Sequence, residues 1–168
     1  MKKYIIGMLV SNQSGVLTRI SGMFGRRGFN IESLEVGVTA DPTRSRMTIT
    51  MLGEDADRDQ IIKQLEKLPD VYVVREMIPG TIVSRELILM KVATTSETRQ
   101  EILDAINVFR NKIIDYTPDS ICIEATGETS KTEAFIELMR RYGILEMSRT
   151  GSVALDRGTK TLSGDASV

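Results

Sequence analysis

The chain of 168 residues contains no histidine. Histidine is the commonest general base near neutral pH and the commonest zinc ligand, so Ser-His-Asp and Cys-His catalytic sets and Cys/His zinc sites cannot be assembled from this chain. One cysteine, Cys122, makes no intramolecular bridge; the composition fits a reducing compartment, and a cytoplasmic location is expected. Apolar runs are short. None approaches the roughly 18 residues that cross a bilayer, so no membrane segment is expected. Met1-Lys2-Lys3-Tyr4 and the short apolar run behind it read as the start of a strand, not as a signal peptide. An excess of charge is lacking as well: 22 basic and 23 acidic residues leave a net charge of -1, spread over both halves. That removes the electrostatic support a nucleic-acid partner would need.

What is present is ordinary for a globular protein, with 41% hydrophobic and 27% charged residues. The length suits one large domain or two small ones, and small ones gain from a partner surface. Tyr4 to Val10 is apolar with β-branched residues and reads as a strand. Ser11-Asn12-Gln13-Ser14-Gly15 breaks it, with Asn12 or Ser14 as expected helix N-cap. Val16/Leu17, Ile20 and Met23/Phe24 then recur at helical spacing, and Gly28 suits a left-handed C-terminal position. Leu34, Val36 and Val38 alternate with polar or small residues. After the Ala40–Thr43 loop, Met47, Ile49 and Met51 alternate with Arg46, Thr48 and Thr50, which predicts a sheet covered on one side. Asp55 or Asp57 is the expected cap of a helix whose stripe is Ile61/Ile62, Leu65 and Leu68, and Val71–Val74 is a fourth strand.

The order strand, helix, strand, strand, helix, strand is the split βαβ pattern. It recurs after Pro79-Gly80: Leu87–Val92, a helix capped by Ser96, strands at Ile113-Ile114 and Ile121–Ala125, a helix opened by a Ser130–Glu133 capping box, and Ile144–Met147. At an offset of 74, Ile49, Gly53, Glu54, Ile62 and Arg75 fall on Ile123, Gly127, Glu128, Ile136 and Arg149. The expected fold class is α+β: two ferredoxin-like βαββαβ domains, residues 1–78 and 79–168, each with helices on one face of an antiparallel sheet. Residues 150–168 are poor in apolar mass and are expected to form a mobile tail. The uncovered sheet faces predict association, with a second copy or a partner, unless loops or the other domain cover them.

The strongest candidate site is Asn12-Gln13-Ser14-Gly15-Val16-Leu17. Gly15 opens a helix whose unpaired amides suit a carboxylate, Asn12 adds a side-chain amide, and Asn30 supplies a second amide across a subunit seam. The same residues also read as ordinary turn chemistry, so both readings stand at this point. Gly22 and Gly25 inside the helix point to close packing of another element, for example a second copy, or to tolerated weakness. Glu54, Asp55, Asp57 and Asp59 resemble a partial calcium loop but lack its glycine and final glutamate, and fit a helix N-terminus better. Cys122, the pairs Arg26/Arg27 and Arg140/Arg141, and Glu32/Glu35 form no catalytic constellation.

The run Leu9-Val10-Ser11-Asn12-Gln13-Ser14-Gly15-Val16-Leu17-Thr18-Arg19-Ile20, continued through Phe24-Gly25-Arg26-Arg27-Gly28-Phe29-Asn30-Ile31-Glu32-Ser33-Leu34, closely resembles the small regulatory subunits of acetohydroxyacid synthase (acetolactate synthase). The resemblance extends over almost the whole chain and implies an N-terminal ACT domain followed by a second ferredoxin-like domain. It implies a non-catalytic subunit that binds a catalytic subunit using thiamine diphosphate, Mg2+ and FAD, raises its activity in branched-chain amino acid synthesis, and makes it sensitive to feedback by valine. The effector would lie between the ACT domains of a homodimer, lined by Asn12, Gly15, Val16 and Leu17 on one side and by Asn30 and Ile31 on the other. No cofactor would belong to this chain. The alternative is a structural assembly subunit without effector binding of its own.

Overall fold

A computed structural model describes residues 1–165. The chain forms two compact units, one of Met1–Ser84 with the segment from Gly151 onward, the other of Arg85–Thr150.

In the first unit the elements are β1 (Lys2–Ser11), α1 (Val16–Arg26), β2 (Ile31–Val38), β3 (Arg44–Gly53), α2 (Asp55–Leu65) and β4 (Val71–Glu76). The sheet runs β2-β3-β1-β4, with β3 antiparallel to both β1 and β2. The period-2 alternation sends Tyr4, Ile6, Met8 and Val10 of β1 and Met47, Ile49 and Met51 of β3 to one face. There they meet the helical stripes Val16, Ile20, Met23 and Phe24 of α1 and Ile61 and Leu65 of α2. The α1 helix ends as expected at Gly28, whose φ is 72°; Phe29 N–H closes the turn on Phe24 O at 3.1 Å.

The second unit holds most of β5 (Ile82–Ala93), then α3 (Arg99–Val108), β6 (Lys112–Tyr116), β7 (Ser120–Gly127), α4 (Thr129–Arg140) and β8 (Ile144–Arg149), in sheet order β6-β7-β5-β8. Its core sets Ile88, Met90, Val92, Ile121 and Ile123 against Ile102, Ile106, Phe135, Ile136 and Met139. Glu86, although buried, keeps its charge partner: Arg149 grips both carboxylate oxygens at 2.9 and 3.0 Å. The repeat seen in the letters is structural. Gly53 and Gly127 each end a strand, and Glu54 and Glu128 each occupy the N-cap of the helix that follows.

Four expected caps differ. Neither Asn12 nor Ser14 caps α1; its N-cap is Gly15 in a left-handed conformation. The α2 N-cap is Glu54 rather than Asp55 or Asp57, and Asp57 instead accepts the Glu54 N–H at 2.8 Å. The α3 N-cap is Thr98 rather than Ser96, because Thr95 and Thr98 exchange backbone-to-hydroxyl bonds of 3.0 and 3.2 Å. The α4 helix starts one residue before the anticipated Ser130–Glu133 box, and Glu133 instead binds Arg149 at 2.8 Å.

The expectations for the tail and for the open face need correction. Residues 151–165 do not belong with the second domain and are not loose; they fold back onto the first unit as β9 (Val153–Asp156), β10 (Lys160–Thr161) and β11 (Gly164–Asp165), with β9 pairing β5. Residues 166–168 of the anticipated tail lie outside the described residues. Ala154 and Leu162 join Met77 and Ile82 in a small second core over Ile5, Leu9 and Val73, on the sheet face opposite the helices. Gly7 permits this approach: a Cβ there would lie 2.9 Å from Met77 Sδ and 3.4 Å from Leu162 Cδ1. Arg75 reaches Asp156, whose carboxylate is 3% exposed, and Arg46 donates to the Ala154 carbonyl at 2.6 Å. Thr48 and Thr50, taken as a solvent face, are 3% and 1% exposed. The segment has too little apolar mass to fold alone, but it needs only to add two apolar side chains and one carboxylate to a floor already built by β1, β3 and β4.

Two outcomes test this packing. Leu162→Ala is expected to lower stability by about 2–3 kcal/mol in urea unfolding, as for other buried leucines; a mobile tail would give no change. Asp156 is held below the ordinary aspartate value of 3.8, first by its hydrogen bond from Arg75 and then by nearby positive charge, against the opposing effect of burial. A carboxylate depressed in the folded state contributes stability above its unfolded value and loses it as pH falls through the folded one. The melting temperature is therefore expected to drop less steeply below about pH 4 in Asp156→Asn than in the wild type.

Candidate functional site

The β1–α1 turn is anchored at both sides. Ser11 N–H binds Asp70 O and Asn12 N–H binds Thr43 O, both at 2.8 Å. The Asn12 side-chain amide donates to Pro42 O at 2.8 Å, so it holds the turn to the β2–β3 loop instead of capping the helix. Gly15 has φ 86° and ψ -12°, a conformation that a side chain resists, and a Cβ would also lie 3.2 Å from Arg19 Nη1. With this entry no side chain caps α1, and its first turn carries no acidic residue. Val16 N–H has only a long bond of 3.4 Å to Gln13 O. The amides of Leu17 and Thr18, at the second and third helical positions, have no acceptor within the helix. The result is an exposed helix start with open donors and the positive end of the peptide dipoles. In the second unit the matching turn is closed by its own Thr95 and Thr98 hydroxyls.

The six predicted residues are not gathered in one place. Asn12, Gly15, Val16 and Leu17 share the turn; Val16 is buried in the core at 2% exposure, whereas Leu17 is 44% exposed. Asn30 and Ile31 stand at the start of β2. Asn30 donates to Glu32 at 3.1 Å, and Ile31 packs half-buried against the core. The register sets Ile31 opposite Met51 and Met51 opposite Tyr4, while Ser11 lies opposite Arg44. The two groups are thus at opposite ends of the sheet, roughly 25 Å apart at about 3.3 Å per residue.

The structure adds residues that the sequence did not single out. Arg19, one helical turn after Gly15, binds Asp70 at 2.7 Å and sets a guanidinium beside the turn; its spacing from Gly15 was the available signal. Val36 and Val38 are 45% and 61% exposed on β2, an edge strand of its sheet. Alternation had marked them as an inward face, but an edge position leaves half of such a face uncovered. No close packing within the described chain explains the helix glycines: nothing lies within 4 Å of a Cβ at Gly25, and at Gly22 there is only the flexible end of Arg26.

The acidic cluster is structural. Asp55 binds Lys2 and Tyr4, pushing the Tyr4 hydroxyl up to about 12; Asp57 accepts the Glu54 N–H at 2.8 Å; and Asp59 pairs with Arg58. Among the described residues no group of three or more acidic, cysteine or histidine side chains converges as metal ligands would. Arg140 pairs with Glu137 and Arg141 with Glu101, both on the surface, and Cys122 is a half-buried free thiol.

Comparison with known proteins identifies the family. Residues 6–73 match the model of the AHAS small subunit-like ACT domain, and residues 85–158 match that of the small subunit of acetolactate synthase. The chain is 47% identical over 160 residues to a probable acetolactate synthase small subunit of Methanothermobacter thermautotrophicus, covering 95% of each chain. It is 50% identical over 158 residues to that of Archaeoglobus fulgidus, covering 94% of this chain and 99% of the other. The crystal structure of the Thermotoga maritima acetolactate synthase small subunit superimposes with a TM-score of 0.86 at 41% identity, over 94% of this chain and 99% of that one. With both units matched in sequence and in fold, the chain belongs to the family of acetolactate synthase small subunits, and its first unit is an ACT domain.

Proposed function

We propose that this chain is the feedback subunit of an acetohydroxyacid synthase: it binds and activates the catalytic subunit, and it confers inhibition by valine through a site formed between two ACT domains. The observation that carries the reading is the separation of the six site residues along one sheet. Because β3 is antiparallel to both neighbours, β1 and β2 run parallel, and the Asn12–Leu17 turn lies at the Val38 end of β2. A two-fold axis across the β2 edge would pair two β2 strands antiparallel. The Ile31 end of one copy would then meet the Val38 end of the other. Two equivalent sites result, each with the turn of one copy facing Asn30 and Ile31 of the second. The exposed edge of β2, with Val36 and Val38, supplies the apolar contact for such a pairing.

In this site the open amides at Leu17 and Thr18 would receive the effector's carboxylate, aided by the helix end and the nearby Arg19. The Asn12 and Asn30 carbonyl oxygens are the natural acceptors for its ammonium group. Leu17 and Ile31 would shelter a short branched side chain.

The chemistry belongs to the catalytic partner, whose thiamine diphosphate, Mg2+ and FAD serve the decarboxylation of pyruvate and its joining to a second 2-oxoacid. This chain contributes linkage. Effector bound at the seam favours one arrangement of the two copies, and inhibition follows if the catalytic subunit prefers another.

Activity of the reconstituted complex tests the site. Asn12→Ala and Gly15→Asp are each expected to raise the half-inhibitory valine concentration at least about tenfold, the lower range of typical couplings; unchanged inhibition in both sinks the assignment. Val36→Lys with Val38→Lys is expected to shift the isolated chain from dimer to monomer in light scattering and to remove valine binding, since each site needs two copies. Activation without any valine binding by the wild type, in equilibrium dialysis, would leave an assembly subunit only.

A further inference from the structure

Resting on the effector site proposed above, we infer that Gly151 couples that site to the second unit by clamping β2. Gly151 is the first residue of the returning segment, and its buried N–H donates to Glu35 Oε1 on β2. It also has no room for a side chain: a Cβ would lie 2.5 Å from Ser33 Oγ and 2.6 Å from Ser33 Cβ, a clash that no rotation of Ser33 relieves. Ser33 and Glu35 follow Ile31 on the same strand, and the β2–β3 pairing is irregular between Ile31 and Ser33. A bulge of this kind disrupts the ladder locally and bends the strand, so the Ile31 end is set apart from the regular pairing that follows.

The residue before the clamp is pinned elsewhere. Thr150 N–H binds Leu87 O at 2.9 Å, and Leu87 N–H binds Thr150 Oγ1 at 2.9 Å, both within the second unit. Two consecutive residues are therefore anchored in different units. One of them is set against the strand whose first residues carry half of the effector site. A ligand seated against Ile31 displaces β2 at its irregular start; Ser33 and Glu35 carry the displacement to Gly151, and the peptide bond carries it to Thr150 and β5. Ser33, Glu35 and Gly151 are positioning residues here and touch no ligand.

Variants of the full chain, assembled with the catalytic subunit, separate coupling from binding. Gly151→Ala is expected to leave activation of the partner unchanged and the valine Kd of the isolated chain, by calorimetry, within about threefold, while maximal valine inhibition falls at least about fivefold, the low end of typical couplings. The double variant Ser33→Gly with Gly151→Ala removes both clashing atoms and is expected to restore inhibition. If Gly151→Ala does not fold, Glu35→Ala cuts the tether without adding bulk and is expected to give the same split between binding and inhibition. Inhibition at the wild-type level in folded Gly151→Ala or in Glu35→Ala, a parallel loss of binding and inhibition, or failure of the double variant to restore inhibition overturns the inference while the effector site stands. Absence of valine binding to the wild type overturns both.

Discussion

The antiparallel register of β3 against both β1 and β2 is the constraint on which the first unit turns. It makes β1 and β2 parallel, so the helix between them starts at one end of the sheet and returns the chain to the other. It also leaves β2 at the edge with its outer side unpaired. An exposed helix start, a strand start roughly 25 Å away and an unpaired apolar edge between them follow from that register and from the rise of about 3.3 Å per residue. None of these features makes a ligand site in one copy. In the proposed dimer a two-fold across the edge would supply the missing half, which is why the proposed function is a property of a pair.

A second consequence concerns the far face of the sheet. Helices cover only one side of a split βαβ sheet, and the remaining side needs either polar residues or a cover. Here Thr48, Thr50 and Arg46 lie under the returning C-terminal segment, with Met77, Ile82, Ala154 and Leu162 as apolar filling. The cover brings the buried Asp156 carboxylate to Arg75, so that the charge it buries is paired. It also draws the chain across the boundary between the units a second time. A sheet face that would otherwise have been a general surface for association is thereby covered, whereas the β2 edge stays exposed.

Much of the architecture was legible from the letters. The helical stripe from Val16 to Phe24, the alternation Met47-Ile49-Met51 and the left-handed turn at Gly28 are local, since each depends on neighbours within a few residues. The repeat at an offset of 74 was legible for the same reason: a strand-ending glycine and a helix-capping glutamate occupy the same places in both units. Caps were less legible. Ser, Thr and Asn compete for the same turn, and hydrogen bonds to distant atoms decide among them, as when Asn12 binds Pro42 across 30 residues. The tail was misread because its composition is that of a mobile segment; only the apolar floor of β1 and β4, more than 70 residues earlier in the chain, makes its two apolar side chains sufficient.

The sequence by itself determined the local menu: which segments are strands and helices, that two similar units follow one another, and that a helix opens near the glycine at position 15. The tertiary structure alone decided which of those pieces meet. It put Asn12 and Ile31 at opposite ends of one sheet, brought Leu162 over Gly7, and set Gly151 against Ser33. Those outcomes depend on strand register and on contacts between residues far apart in the chain, and neither residue type nor short-range spacing carries that information.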